Sequence, residues 1–122
     1  MDKHLIFVYG TLKKGCRNNN YLSDATYLGM AETAELYSMR KHEYWYPAVI
    51  ESVQLHNITG ELWSCDYRTL KSLDRLEDTP SLFYRKEVPI IHDAKVLNAW
   101  IYFFNYPYRK NELREQILEW EE

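Results

Sequence analysis

The sequence predicts one domain built of β-strands with two helices packed against them. The chain has 122 residues, of which 46% are hydrophobic and 16% aromatic. That length suits a single core that buries about two thirds of the unfolded surface. Six runs of residues fit strands and two fit helices, and no internal repeat or low-complexity stretch interrupts them. We therefore expect residues 1–122 to form one domain.

The strand predictions rest on the pattern of apolar residues. Residues 5–9 and 99–104 are continuously apolar, which is typical of central strands buried on both faces. Residues 58–65 and 83–91 alternate more, which predicts strands with one solvated face. Residues 26–34 and 48–55 are weaker strand candidates. Between them lies the segment SMRKHEYWYP, at residues 38–47, which we interpret as an aromatic loop. This loop could line a ligand pocket or contact a protein partner.

The two helix predictions rest on caps and spacing. Asp66 is a suitable N-cap, and the helix after it should end near Asp78, because Pro80 disfavours helical backbone at the residue before it. A second helix is predicted at residues 111–120, on the outside of the domain. The apolar residues at helical spacing are Leu70, Leu73 and Leu76 in the first helix, and Leu113, Ile117 and Trp120 in the second.

The first helix places a carboxylate where a leucine is expected. At 100° per residue, Glu77 points into the apolar stripe between Leu70 and Leu73. Asp74 lies on the margin of the stripe, and Asp78 points further away. Two interpretations remain open from spacing alone: the helix frays and Glu77 turns to water, or Glu77 is a functional carboxylate.

The stretch FVYGTLKKG, at residues 7–15, breaks an apolar strand with a polar loop. Gly10 and Gly15 have the spacing of a phosphate-binding loop, but Cys16 and Arg17 stand where such a loop needs Lys and Ser or Thr. Phosphate binding is therefore not expected. The loop is either a plain turn that ends the strand or an anion cradle, since a glycine past a strand end lets backbone N–H groups converge on an anion.

Composition argues against several other functions. A formal net charge of −3 and scattered Lys and Arg residues argue against nucleic-acid binding. Cys16 and Cys65 are too few to staple a secreted scaffold, and the four histidines stand apart from them and from one another, so we expect no metal and no cofactor. The first apolar run is too short for a signal peptide, and no run is long enough to span a membrane. These features predict a cytoplasmic protein without a membrane partner.

Three motifs occur in an order that resembles the gamma-glutamylcyclotransferase-like family, most closely its gamma-glutamylaminecyclotransferase branch. They are YGTL at 9–12, GELW at 60–63 and LDRLEDTPSLFYR at 73–85, with YPAVI at 46–50 and AWIYFF at 99–104 in support. The resemblance covers nearly the whole chain. It implies an α+β fold with a small, mixed, barrel-like sheet and flanking helices.

The resemblance also implies a reaction and its residues. Members of the family release 5-oxoproline from gamma-glutamyl compounds, so Glu77 is expected to take a proton from the substrate's α-ammonium and to return it to the departing amine. The freed α-amine attacks the γ-carbonyl of the same glutamyl unit, without a metal. The glutamyl end is expected at Tyr9, Gly10, Thr11 and Leu12. The alternative is a non-catalytic domain of the same fold that binds a small acid or a protein.

The chain departs from the family pattern at two positions, and two further residues are open. Asp78 stands where the family has glycine. Phe83 stands where it has tyrosine, and Tyr84 cannot replace that hydroxyl, because neighbouring strand residues face opposite sides of the sheet. Arg85 is either a substrate contact or part of a structural ion pair. Tyr102 is either a residue that lines the site or a core tyrosine with a satisfied hydroxyl.

Overall fold

The computed structural model describes residues 3–122, which form a closed barrel, a second small sheet and one α-helix. The strands are β1 (His4–Val8), β2 (Thr26–Thr33), β3 (Ser38–His42), β4 (Pro47–Ile50), β5 (Thr59–Cys65), β6 (Phe83–His92), β7 (Lys95–Phe104) and β8 (Leu113–Ile117). The helix, α1, is Tyr67–Leu76, and short 3₁₀ turns lie at Asn19–Leu22 and Lys110–Glu112. No helix among these residues is long and apolar enough to cross a membrane.

The barrel has five strands in the order β1-β5-β2-β6-β7. All neighbours are antiparallel except β1 and β7, which close the barrel as a parallel pair with Ile6 opposite Trp100. The second sheet has the antiparallel order β4-β3-β8. The predicted α+β fold with a mixed, barrel-like sheet is therefore confirmed.

The core explains why β1 and β7 are continuously apolar. Ile6 and Val8 of β1 belong to a buried cluster that includes Leu70 and Leu73 of α1. Phe7, between them, belongs to a second buried cluster on the opposite face of the strand. Successive residues at the end of β7 divide between the two clusters in the same way. Both faces of these strands are covered, as the sequence predicts, and α1 lies against one of them.

The prediction of a second helix is wrong. Residues 113–117 form β8, which pairs with β3 through Arg40 and Gln116. Leu113 and Ile117 are four residues apart, and that spacing places two side chains on one face of a helix and also on one face of a strand. Hydrogen bonding to the free edge of β3 selects the strand over the helix. The helix predicted to flank the sheet on this side is therefore absent from the described residues.

The segment interpreted as an aromatic loop contains β3, and β4 is shorter than predicted. In β3 the buried side chains include the polar Ser38 and His42, so burial does not follow hydrophobicity along this strand. The sequence offers no alternation of apolar residues there. The loop between β3 and β4 is limited to residues 43–46, and β4 ends at Ile50.

Candidate active site

A pocket of about 230 Å³ opens where β1 ends, beside the start of β4 and the carboxyl end of α1. Its walls come from five regions of the chain. The lining residues are Phe7–Leu12 with Arg17 and Asn18, then Tyr46 and Pro47, then Leu76 and Glu77, then Leu82 and Phe83, and Tyr102. The pocket therefore brings the YGTL turn and Glu77, which are far apart in sequence, into one site.

Asp66 and a capped carboxyl end hold Glu77 in place. The Asp66 side chain accepts a hydrogen bond from the N–H of Thr69 (2.8 Å) and starts α1. Glu77 follows the last helical residue, and its N–H still donates to the carbonyl oxygen of Leu73 (2.9 Å). Glu77 is not frayed, and its side chain lies in the pocket. The interpretation that the helix frays before Glu77 is therefore wrong, and the functional role of Glu77 stays a prediction.

The Glu77 carboxylate has no hydrogen-bond or ion-pair partner among residues 3–122. Its surroundings in the pocket are mainly apolar side chains, including Leu76, Leu82 and Phe83. Burial favours the neutral acid and raises the pKa of Glu77 from 4.5 to about 7. The pocket therefore holds a carboxyl group that can both accept and donate a proton near neutral pH.

The YGTL turn faces the same pocket and is tied down by its neighbours. The N–H of Lys13 donates to the carbonyl oxygen of Gly10 (3.1 Å), which makes residues 10–13 a β-turn. The buried Glu61, from the GELW motif, accepts the N–H of Lys14 (2.9 Å). The N–H groups of Thr11 and Leu12 have no protein acceptor in the described part of the chain, as an anion cradle requires.

Gly10 is required by the close packing of its neighbour and not by its backbone conformation. Its φ angle lies outside the left-handed region, so no special backbone conformation demands glycine. A Cβ at this position would overlap Cγ and Cδ of Pro47, which packs directly on the turn. Gly10 allows β4 to approach the end of β1 and so sets the shape of the pocket wall.

Asp74, one turn before Glu77, is fully paired. Arg85 donates to both of its oxygens from Nε (2.8 Å) and a terminal nitrogen (3.0 Å), and the hydroxyl of Tyr102 donates to Oδ1 (2.7 Å). Arg85 does not line the pocket, so it is the structural ion pair of the two interpretations. Tyr102 meets both interpretations, since it lines the pocket and its hydroxyl is satisfied. The sequence placed Asp74 only on the stripe's margin and did not predict this network.

Comparisons with known proteins agree with this arrangement. The model of the family described as gamma-glutamyl cyclotransferase, AIG2-like, matches residues 6–122. This chain belongs to that family. It is 40% identical over 101 residues to a Methanocaldococcus jannaschii protein provisionally named as a gamma-glutamylcyclotransferase, with 81% of this chain and 82% of the relative covered.

One further relative supports the family assignment, and one solved structure shares the fold. The gamma-L-glutamyl-butirosin B gamma-glutamyl cyclotransferase of Niallia circulans is 30% identical, with 96% of this chain and 75% of the relative covered. The crystal structure of a mouse AIG2-like protein superposes with a TM-score of 0.88 at 23% identity, covering 99% of this chain and 90% of that one. The second likeness concerns the fold alone.

The departures from the AIG2-like pattern can now be placed. Asp78 has φ 51°, and the N–H groups of Asp78 and Thr79 donate to the carbonyl oxygens of Arg75 (3.2 Å) and Asp74 (3.1 Å). This is the Schellman ending of a helix, which favours glycine at residue 78. Asp78 is exposed and does not line the pocket, so the change affects the cap of α1.

The second departure, Phe83, lies in the wall of the pocket and offers no hydrogen bond there. Tyr84 belongs to the opposite face of β6, where its hydroxyl donates to Glu51 (2.7 Å). The prediction that Tyr84 cannot supply the missing hydroxyl is therefore confirmed.

Within residues 3–122, no group of three or more His, Cys, Asp or Glu side chains could hold a metal ion.

Proposed function

We propose that the protein cleaves gamma-glutamyl amines to 5-oxoproline and a free amine, with Glu77 as general base and then general acid. One observation carries the proposal: a carboxylate with a raised pKa lies in a small pocket that Thr11 and Leu12 also line, and neither this carboxylate nor the N–H groups of those two residues have a partner among residues 3–122. A gamma-glutamyl unit carries both an α-ammonium and an α-carboxylate. The pocket offers a complementary group for each.

The turn and Glu77 together would hold the substrate in its reactive conformation. The α-carboxylate accepts hydrogen bonds from the turn, and the α-ammonium lies against Glu77. The α-nitrogen and the γ-carbon belong to one molecule and form a five-membered ring, so the site only has to select the folded conformer. The apolar side chains of Leu82 and Phe83 form part of the wall and would limit the access of water, which competes as a nucleophile.

The raised pKa of Glu77 lowers the cost of the first proton transfer. An α-amino group has a pKa of about 8, so transfer to an ordinary glutamate with a pKa of 4.5 costs about 5 kcal/mol. Transfer to a carboxylate with a pKa of about 7 costs about 1.4 kcal/mol. The α-nitrogen then bonds to the γ-carbon, the proton on Glu77 passes to the leaving nitrogen, and the bond from the γ-carbon to that nitrogen breaks. The second proton that the α-nitrogen loses as it becomes the lactam N–H is taken up by the departing amine, which leaves as an ammonium ion.

A substrate panel tests the proposal. Purified protein is incubated with gamma-glutamyl-ε-lysine, other gamma-glutamyl amines and the matched α-glutamyl isomers, with and without a chelator, and 5-oxoproline is measured by mass spectrometry. We expect 5-oxoproline from at least one gamma-glutamyl compound and none from its α isomer, whether or not the chelator is present. Binding of 5-oxoproline without turnover of any compound would favour the non-catalytic alternative. Loss of activity with chelator would contradict the metal-free reaction.

A further inference from the structure

Tyr46 adds a hydroxyl group to the pocket that contains Glu77. It lies between β3 and β4, its side chain is partly buried, and it lines the pocket together with Glu77. Its hydroxyl has no hydrogen-bond partner among residues 3–122, although the hydroxyls of Tyr9, Tyr84 and Tyr102 all have one. Burial, followed by the charges of Glu112 and Glu77, raises the pKa of Tyr46, so the hydroxyl stays protonated and remains a donor.

The ring of Tyr46 is held by a stack with a fixed partner. It lies nearly parallel to His42, with 4.2 Å between ring centroids and 13° between ring planes. His42 is 1% exposed, and both of its ring nitrogens are occupied. Nδ1 accepts the N–H of Tyr44 (3.0 Å), so the proton lies on Nε2, which donates to Glu112 (2.7 Å). The tyrosine ring therefore rests on a surface that cannot rotate freely.

The backbone also links Tyr46 to the YGTL turn. The residue after it, Pro47, packs so closely against Gly10 that a Cβ on Gly10 would overlap the proline ring. The ring of Tyr46 lies 5.9 Å from that of Phe83, between centroids. Tyr46 thus shares a wall of the pocket with the turn and with the phenylalanine that has no hydroxyl to offer.

The proposed reaction creates a negative charge on the γ-carbonyl oxygen, which needs a hydrogen-bond donor. When the α-nitrogen bonds to the γ-carbon, the carbonyl oxygen becomes an oxyanion until the bond to the leaving amine breaks. The N–H groups of Thr11 and Leu12 are engaged by the α-carboxylate, and Glu77 carries the proton. We propose that the Tyr46 hydroxyl donates a hydrogen bond to the γ-carbonyl oxygen as it becomes an oxyanion, and that Tyr46 is therefore a catalytic residue. This inference rests on the proposed function.

The first test is the variant Tyr46→Phe, which removes one oxygen and keeps the stacked ring. A donor to a developing oxyanion contributes roughly 10²-fold to kcat, so we expect kcat to fall by about that factor while KM changes by less than about threefold. The matched control is Tyr84→Phe, which removes a hydroxyl outside the pocket and should leave kcat unchanged. An unchanged kcat in Tyr46→Phe would overturn the inference, as would a rise in KM alone.

A second test identifies the atom that the hydroxyl contacts. A gamma-glutamyl thioamide replaces the γ-carbonyl oxygen by sulfur, a weak hydrogen-bond acceptor. If the hydroxyl acts on that oxygen, the loss of rate on changing oxygen to sulfur should be smaller in Tyr46→Phe than in the wild-type protein, because the two changes remove the same interaction. Equal losses in both proteins would overturn the assignment.

The two proposals fail in different ways. If the wild-type protein releases no 5-oxoproline from any gamma-glutamyl compound, the proposed function fails. If the wild-type protein and Tyr46→Phe turn over a gamma-glutamyl amine equally well, the proposed function stands and the role of Tyr46 fails. Thermal unfolding of Tyr46→Phe near the wild-type temperature excludes misfolding as the cause of a lost rate, since the hydroxyl has no partner within the described residues.

Discussion

Asp74 and Glu77 are acidic residues one turn apart at the end of the same helix, and their surroundings are opposite. Asp74 receives hydrogen bonds from Arg85 and Tyr102, and Lys71 lies 3.6 Å away. Burial disfavours its charge, but these partners outweigh burial and hold the pKa of Asp74 below its usual value. Glu77 is buried and has no such partner in the part of the chain that the structure describes, and its pKa rises to about 7. Pairing, more than burial, sets the pKa values of these two carboxylates apart.

The two carboxylates therefore affect the stability of the fold in opposite ways. Asp74 joins α1 to β6 and β7 through Arg85 and Tyr102, so its charge contributes to the fold. Glu77 is left uncompensated at neutral pH, and its charge opposes the fold until a cation enters the pocket. A substrate ammonium would supply the partner that the protein withholds.

The largest expected effect is loss of turnover in Glu77→Gln. Glutamine keeps the shape of the side chain but cannot accept the α-ammonium proton, so kcat/KM should fall roughly 10² to 10⁴-fold. In the wild-type protein, kcat/KM should decline as pH falls below about 7, because the base becomes protonated. Steady-state kinetics across pH measure both. A Gln variant with near wild-type turnover would show that Glu77 is not the base.

The same variant should be more stable than the wild type above neutral pH. A glutamate whose folded pKa is raised favours the folded state at low pH, and this contribution is lost as pH rises from 4.5 to about 7. The penalty that Glu77→Gln removes is therefore absent near pH 4 and reaches up to about 3 kcal/mol near pH 8. Denaturant unfolding at both pH values measures it, with the exposed Glu115→Gln as control. A destabilised Gln variant would mean that Glu77 is structural.

The next effect is loss of stability in Asp74→Asn. The change leaves the partly buried Arg85 without its charged partner, which should lower the free energy of unfolding by about 2–3 kcal/mol near pH 7. Because the pKa of Asp74 is depressed, this difference should disappear as pH falls below about 4. Turnover at low temperature should survive, since the carboxylate does not reach the substrate. A folded but inactive Asn variant would place Asp74 in the chemistry and break the comparison.

The smallest expected effect is a gain of stability in Asp78→Gly. Residue 78 has a positive φ angle, and its negative charge lies at the negative end of the helix dipole. Glycine relieves both, so the free energy of unfolding should rise by roughly 0.5–1 kcal/mol. Thermal unfolding measures the gain, and turnover should stay unchanged because Asp78 does not line the pocket. A loss of stability would show that the Asp78 side chain stabilises the cap.

The sequence predicts the parts of this protein in which local pattern and burial agree. The apolar runs of β1 and β7, the N-cap at Asp66 and the position of Glu77 within the stripe of α1 all follow from spacing. The proximity of the YGTL turn to Glu77 does not. That proximity was implied by resemblance, because no local rule brings residues so distant in sequence into one pocket.

The failures arise where tertiary contacts decide the outcome. Residues 113–117 suit a helix and a strand equally, and the edge of β3 selects the strand. In β3, His42 is buried with Glu112 as its polar partner and Ser38 is buried as well, and hydrophobic patterning detects neither. Asp74 and Tyr46 depend on partners from other strands and loops, so their surroundings were equally hidden. The sequence does offer the segment 38–47 as a possible lining of a ligand pocket, and Tyr46 and Pro47, at its end, line the pocket.

The pocket depends on the step of folding in which the barrel closes. The seam that closes the barrel is the pairing of β1 with β7, in which Ile6 lies opposite Trp100. The hydroxyl of Tyr9 adds a hydrogen bond across this seam by donating to the carbonyl oxygen of Tyr102 (2.7 Å). Contacts between segments so distant in sequence carry a large loop-closure cost, which favours their late formation. Tyr9 and Tyr102 both line the pocket, so the pocket exists only once this seam has closed. A ligand present at 100 times its Kd would therefore hold the seam shut and add about 2.7 kcal/mol to the stability of the whole barrel.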